Sequence, residues 1–577
     1  MENEKTLTRE IVLYSLIFVA ALALRLIHLG RIPLLESESS WALQAWRLAQ
    51  GESIPVASQV GYLAVTEGLF SIFTGSNFLA RCWPAFAGGL LVWLPYFFRE
   101  ELRPVPALVL AAGLALDPAL VSVSRIAGSP MPALVFLALA AGAFHRRRIS
   151  WGVWFLGLGL FSGPGFWIGF LLLSITLMVC HALGLFKLRD YLTVRLDDFR
   201  SGSESWLVET LPALLALFLI GTFFLRNFQG IGAWAGSLVQ FFRSWAEPSG
   251  LGPGRFVVYF LINNPLSLVF GLLGLITAWR NQDRLGKGLA IWFGISLLGL
   301  ILYPQRETGD LIWLAVPLGV AAAREVVRIY RLAPGNWVTQ SLAGLVVVLA
   351  SLNWLTFIGM IFQPLIPNPT LLEMGLEVSN ALLLEIGLWV ASLALLILAG
   401  TIVSSEGGEK AVWKGLGTGA AAALFMYLVA SLTLDAYLLE KDPRSIYSEG
   451  NGSGQMQLLV DSIADASITI SGRANSIRGA VLVDSDALRW TLREYEDVDY
   501  MINPVSALDY PFLITSTAGI LPGLEENFRG QDFVLSSTPG WEKILPDNSI
   551  SWIGFREGPV LKEYLILWIR NDIYSGY

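Results

Sequence analysis

Cysteine and histidine are nearly missing from this chain. Its 577 residues include 2 cysteines and 3 histidines. Cys82 and Cys180 both lie inside apolar runs, so neither a disulfide framework nor a thiolate metal site is expected. His28, His145 and His181 stand far apart at predicted helix ends, where an interfacial position suits each better than a metal cluster. Charge is scarce too, at 15% of residues against 54% hydrophobic, and mean hydropathy is +0.58. No soluble fold buries so many apolar runs of about 20 residues, the length of a membrane-spanning helix. No phosphate-binding P-loop, HExxH or Gly-x-Ser-x-Gly elbow occurs. Gly415-Leu-Gly-Thr-Gly419 opens an apolar span rather than following a strand, and reads as helix-packing glycine. Internal repeats are lacking and ionisable residues are rare within the spans, which gives little support to a solute transporter.

What is present predicts a polytopic α-helical membrane protein. Lys5 and Arg9 precede the first apolar run, 11–29, and place the N-terminus in the cytoplasm by the positive-inside rule. That run lacks a small-residue cleavage site and reads as a retained span. A shorter apolar helix over 60–74 ends at Thr74-Gly-Ser76. Further spans are predicted at 82–98, 104–120, 130–145, 150–162, 165–186, 206–226, 256–278, 288–303, 309–323, 337–360, 382–403 and 416–436, roughly thirteen in all. Ser162-Gly-Pro-Gly165 should break one long helix into a hairpin. Every lysine before residue 441 falls on the predicted inner side, including Lys187 of the basic segment Lys187 to Arg200, whereas the predicted outer segments carry arginine only.

The first predicted outer segment, 30–59, holds the stretch Leu34-Leu-Glu-Ser-Glu-Ser-Ser-Trp-Ala-Leu-Gln-Ala-Trp-Arg47. A helix from about Ser39 to Gln50 puts Ser40, Gln44 and Arg47 on one face and apolar residues with Trp41 and Trp46 on the rest, the pattern of a helix lying in the membrane interface. Glu36 and Glu38 at its start suit the helix dipole. They either serve only to start that helix, or at least one of them faces a reaction cavity enclosed by the later spans.

The outer arginines bear on the same cavity. A planar guanidinium grips phosphate with two parallel hydrogen bonds, where an ammonium acts as a point charge. For any one of them the alternative is snorkelling to headgroups or pairing with a nearby acid. Arg306, in Tyr303-Pro-Gln-Arg-Glu-Thr-Gly-Asp310, sits in a short outer turn and is the leading candidate for a lipid phosphate, followed by Arg125. Trp41, with Tyr303, Gln305 and Asp310 of that turn, is expected to line the cavity.

Residues 1–436 form the transmembrane domain in this reading, 437–454 a linker, and 455–577 an extracytoplasmic α/β domain. Its strand candidates are Ser467–Ser471, Gly479–Val483, Val498–Ile502, Pro511–Ser516, Phe533–Ser536 and Ile550–Phe555. Helices are expected over 455–464, 486–496 and 559–570. Acids outnumber bases in this domain enough to account for the net charge of −7, which argues against a nucleic-acid partner. Asn451-Gly-Ser453 is a glycosylation sequon, a triplet common by chance.

A first span, an outer acidic motif on an amphipathic helix, and a Gly-Ser turn followed by Arg81 together resemble the GT-C superfamily of membrane glycosyltransferases, which includes protein O-mannosyltransferases and lipid A aminoarabinose transferases. Gly75-Ser-Asn-Phe-Leu-Ala-Arg-Cys-Trp-Pro-Ala-Phe-Ala-Gly-Gly89 looks like the opening of their next span, and Val121-Ser-Val-Ser-Arg125 like their second outer loop. Leu488-Arg-Trp-Thr-Leu-Arg-Glu-Tyr-Glu-Asp-Val-Asp-Tyr500 is similar to a motif in a branch known as flippase-activity-associated membrane proteins.

The resemblance implies a polyprenyl-phosphate-linked sugar as donor, the lipid bilayer as its route of entry, and a glycan or protein as acceptor. An acid of the first loop would remove the acceptor hydroxyl proton. Fixed cations, with Arg81 joining Arg306 and Arg125, would receive the leaving phosphate.

Two departures stand out. The family's usual Asp-Glu pair falls on Ser37-Glu38, and the acid often found at the start of the fourth span falls on Ser129. Glu38 then becomes the expected base, with Glu36 second, and a divalent cation is possible but less favoured than in close relatives. The departures also keep open a catalytically degenerate protein that binds or helps translocate lipid-linked sugars.

Overall fold

A computed structural model describes residues 2–185, 205–248, 251–361 and 380–438. Beyond these it describes 451–452, 455–495, 497–501, 508–517, 524–540, 552 and 558–573. The inner basic segment Lys187 to Arg200, most of the expected linker, most of the strand candidate Ile550–Phe555 and part of the Asn451 sequon lie outside the described residues.

The N-terminal part is a bundle of helices. Helix α1 (Glu2–Leu26) leads to α2 (Glu36–Ala49), the interfacial helix, which starts three residues earlier than expected because Glu38 bonds back to the Leu35 amide. Helices α3 (Val60–Ile72) and α4 (Asn77–Phe97) follow. Then come α5 (Pro104–Leu116), α6 (Pro118–Ser124), α7 (Met131–His145), α8 (Ile149–Leu160) and α9 (Pro164–Ala182). The expected break between α8 and α9 is present, with Gly163 at φ +82, a conformation that suits glycine.

Helices α10 (Ser205–Gly221), α11 (Gln229–Arg243), α12 (Pro253–Asn263), α13 (Pro265–Arg280) and α14 (Arg284–Leu302) continue the bundle. It is completed by α15 (Ile312–Tyr330), α16 (Trp337–Ile361) and α17 (Asn380–Thr433). Among the described residues five helices are long and apolar enough to cross a membrane, or up to seven if each of two bent pairs is one span. The chain is a multi-pass membrane protein.

The bent pairs have a local cause. The single spans expected over 104–120 and 256–278 are each two helices, meeting at 51° for α5 and α6 and at 92° for α12 and α13. Pro118 and Pro265 each lack an amide for the preceding turn, and Asp117 and Asn264 cap the new helices by accepting from the Leu120 and Ser267 amides. In α17 the helix folds back at Gly408 (φ +73), so that Gly400 lies beside Val412.

Among the described residues the C-terminal region carries a six-stranded sheet, β1 (Asn451–Gly452), β2 (Gly479–Val481), β3 (Val498–Tyr500), β4 (Phe512–Ser516), β5 (Phe528–Pro539) and β6 (Val560–Arg570), in the order β1-β5-β6-β4-β2-β3. Strand β2 runs parallel to β3 and β4, and the other pairings are antiparallel.

Two sequence expectations are corrected here. Residues 559–570 form strand β6, not a helix. Leu565, Leu567 and Ile569 face one core cluster and Ile566 with Trp568 the other, and a strand buried on both faces reads as a continuous apolar run. Ser467–Ser471 is not a strand but the last turn of α18 (Gln455–Ser471), because Met456, Leu459, Ile463 and Ala466 keep a helical period into the core. The helix expected over 486–496 is present only as α19 (Asp486–Thr491).

Candidate functional site

The site is built at the end of the bundle where α1 finishes and α2 begins. Ser76 caps α4 by accepting from the Leu79 amide, which puts Arg81 in the second turn of that helix, facing α2. Arg81 Nε donates to Glu38 Oε1 at 2.8 Å and Nη2 to Glu38 Oε2 at 2.5 Å, a bidentate pair. Nη1 donates to the carbonyls of Leu29 and Ile32, and Nη2 also to that of Pro33. All five N–H groups of Arg81 are thereby used within the protein.

Glu38 is equally committed. It is 1% exposed, and beyond Arg81 it accepts from the Leu35 amide at 2.9 Å and from the Ala127 amide at 2.8 Å. Each carboxylate oxygen has two donors, so no lone-pair direction is left for an incoming hydroxyl. One buried ion pair thus ties the α1–α2 loop, α2, α4 and the 125–130 loop together. Glu38, expected as the base, and Arg81, expected as a phosphate ligand, are both satisfied within the protein in this structure.

The 125–130 loop is the hub of the site. Gly128 (φ +73) lies against Trp41, where an added Cβ would sit 2.3 Å from indole Cδ1, and its carbonyl accepts from Gln59 Nε2 at 2.7 Å. Ser129, standing where the resemblance expects an acid, has a buried hydroxyl with no hydrogen-bond partner among the described residues. Pro130 packs beside Gly309, so the loop bridges the Glu38–Arg81 pair to the Tyr303–Asp310 turn.

That turn holds the other expected residues. Arg306 donates to the carbonyls of Leu300, Leu251 and Ile301, closing the C-terminus of α14. Tyr303 donates its hydroxyl to Ser244 Oγ at 2.8 Å, Asp310 accepts from the Glu307 amide, and Gln305 is half-buried. Arg125 donates to the carbonyls of Leu24, Arg25 and Ile27 at the end of α1, beneath the ring of Tyr437. Trp41, half-buried, meets Tyr62 edge to face.

Glu36 behaves differently from Glu38. It is exposed and reaches into the C-terminal domain, where Ser485 Oγ donates to it at 2.7 Å, the Ala487 amide at 3.2 Å, and the Asp486 amide also donates. It therefore caps α19. Trp490 of α19 stacks on Phe70 and donates from Nε1 to Asn77 Oδ1 at 2.8 Å. Arg493 lies over Trp490 and donates to the Gly75 carbonyl, and burial pushes its pKa below the ordinary guanidinium value.

Sequence reasoning missed Arg25, wholly buried in α1 and bonded to the carbonyls of Ala21, Leu114 and Ala115. It missed Gln59 as well. An arginine late in the first apolar run was the available signal for Arg25, while nothing local marks Gln59. Among the described residues no three of His, Cys, Asp or Glu come together as metal ligands.

No family model matches the chain, and no curated protein matches it. Solved structures do. ArnT from Cupriavidus metallidurans bound to undecaprenyl phosphate superposes with a TM-score of 0.51 at 16% identity, over 96% of this chain and 98% of that one. Its apo state gives 0.50 at 15% identity, over 97% and 98%. The Archaeoglobus fulgidus oligosaccharyltransferase in its apo form gives 0.46 at 11% identity, over 88% of this chain and 69% of that one. The likeness to ArnT shows the fold: over nearly its whole length this chain shares the architecture of ArnT.

Proposed function

We propose that the chain is a membrane glycosyltransferase that moves a sugar from a polyprenyl-phosphate carrier to an acceptor glycan or protein on the outer face. The observation that carries this reading is the full-length match in fold to ArnT in its undecaprenyl-phosphate-bound form. The confinement of lysine to one set of loops supports a cytoplasmic N-terminus and an extracytoplasmic C-terminal domain.

The exposure of Glu36 and the four donors around Glu38 support the opposite order of the two acids. Glu38 serves as the anchor that positions the first outer loop. Glu36, exposed and held among the described residues by donors from the C-terminal region, is the carboxylate that an acceptor hydroxyl reaches once α19 lifts. The hydroxyl proton passes to Glu36 as its oxygen attacks the anomeric carbon, and the carrier phosphate departs with the bonding electrons. Arg125, which opens the 125–130 loop, and Arg306 beside it are the candidate cations for the departing phosphate.

Purified protein in proteoliposomes, supplied with a polyprenyl-phosphate sugar, tests this. Glu36→Gln should cut turnover by at least about 100-fold, the usual scale of a lost general base, with carrier binding unchanged. Wild-type turnover in that variant would remove Glu36 from the mechanism.

A second reading has its own support. The full occupation of Glu38, with Ser37 and Ser129 where acids are expected, favours a protein that binds or helps translocate lipid-linked sugars without transferring them. Carrier binding without transfer by the wild-type protein supports it, and transfer excludes it.

A further inference from the structure

At the opposite end of the bundle from the Glu38–Arg81 pair, helices α5, α13, α14, α15 and α17 enclose a pocket of about 620 Å³. One part of its lining is apolar, formed by Leu102, Pro106, Leu275, Leu289, Val327 and Leu332. Three acids line it, and each has a partner. Asp283 pairs with Arg324 at 2.7 Å, Glu325 takes two bonds from Arg328, and Glu101 meets the His145 ring at 2.6 Å.

The remaining lining cations, Arg103, Arg331 and Lys410, have no counter-charge among the described residues. All three are exposed. They come from three separate places in the chain: the start of α5, the end of α15, and just past the Gly408 break in α17. Arg103 is held at φ +68, a backbone conformation that a non-glycine residue adopts at a cost and that recurs at ligand clamps. Scattered topology-setting cations have no need to converge on one pocket or to accept such strain.

We infer that this pocket binds the headgroup of an anionic phospholipid from the leaflet at that end. Arg103, Arg331 and Lys410 hold the phosphate, and the apolar wall takes the proximal acyl chain. Uncompensated cations above apolar helix faces match such a ligand in both charge and polarity, and basic pockets between transmembrane helices bind anionic headgroups in this way. A soluble phosphate would use the cations alone and leave the apolar wall wet. This site is separate from the proposed transfer chemistry and does not depend on it.

Native mass spectrometry of the full chain released from nanodiscs tests the inference. The nanodiscs contain phosphatidylcholine with or without phosphatidylglycerol, and inorganic pyrophosphate is the soluble competitor. Wild type should retain phosphatidylglycerol, and the triple variant Arg103→Gln, Arg331→Gln, Lys410→Gln should lose at least tenfold of that retention. Arg284→Gln, on the same face but outside the pocket, should retain it. If the triple variant is not monodisperse, the double variant Arg331→Gln, Lys410→Gln is read in the same way. Equal retention by variant and wild type overturns the site. Displacement of the lipid by pyrophosphate, or binding of pyrophosphate without lipid, overturns the assignment to a lipid headgroup.

Discussion

Glu36 in α2 accepts a hydrogen bond of 2.7 Å from Ser485 Oγ, 449 positions further along the chain. The carboxylate caps the first turn of α19 and fastens the C-terminal domain to the interfacial helix.

In Glu36→Gln the amides of Asp486 and Ala487 should lose part of their protection, exchanging about tenfold faster for a loss of ~1.4 kcal/mol, close to the lower end of the range for a hydrogen bond to a charged group. Combined with Ser485→Ala, the two changes should be less than additive, because they remove one interaction. Hydrogen exchange resolved to residues 484–492 measures both, and additive effects would show that the contact has no energetic weight.

Trp490→Ala should undock the C-terminal domain without unfolding it. The change removes a stacked aromatic, a hydrogen bond to Asn77 and the ring beneath Arg493, with a loss on the order of 3 kcal/mol. Limited proteolysis should then cut between the two domains far faster than in wild type. An unchanged cleavage rate would mean that the domains are held elsewhere.

Breaking the pair beneath should cost more. Arg81→Gln leaves a buried carboxylate without its cation and should destabilise the membrane domain by about 3–5 kcal/mol. Glu38→Gln should fall near the same range, since Arg81 then faces carbonyls alone. The double variant should lose less than the sum of the two. Thermal unfolding in detergent reads all three, and a wild-type transition in Glu38→Gln would deny the pair its anchoring role.

Gly128→Ala should disturb the loop between these elements. Its Cβ would overlap Trp41, and φ +73 suits glycine. A loss of about 1–3 kcal/mol is expected, typical of overpacking. Adding Trp41→Phe should recover part of it if the clash is the cause. No recovery would assign the whole effect to the backbone.

The sequence alone determined the class of this protein. Apolar runs near the span length and lysines confined to one set of loops were sufficient for a multi-pass membrane helix bundle. Hydropathy and charge placement are properties of short segments, and the bilayer reads them segment by segment. Ser162-Gly-Pro-Gly165 was legible as a break for the same local reason.

Tertiary structure decided what the charged residues do. Glu36 and Glu38 are two positions apart on one helix, yet one is buried among four donors and the other reaches the C-terminal domain. Arg81 and Arg306 look alike as outer arginines, but one pairs with a carboxylate and the other closes a helix end. Strand β6 looked like a helix until sheet partners covered both of its faces. A side chain's partner depends on which distant segment folds against it, and a linear reading of composition and period holds no record of that approach.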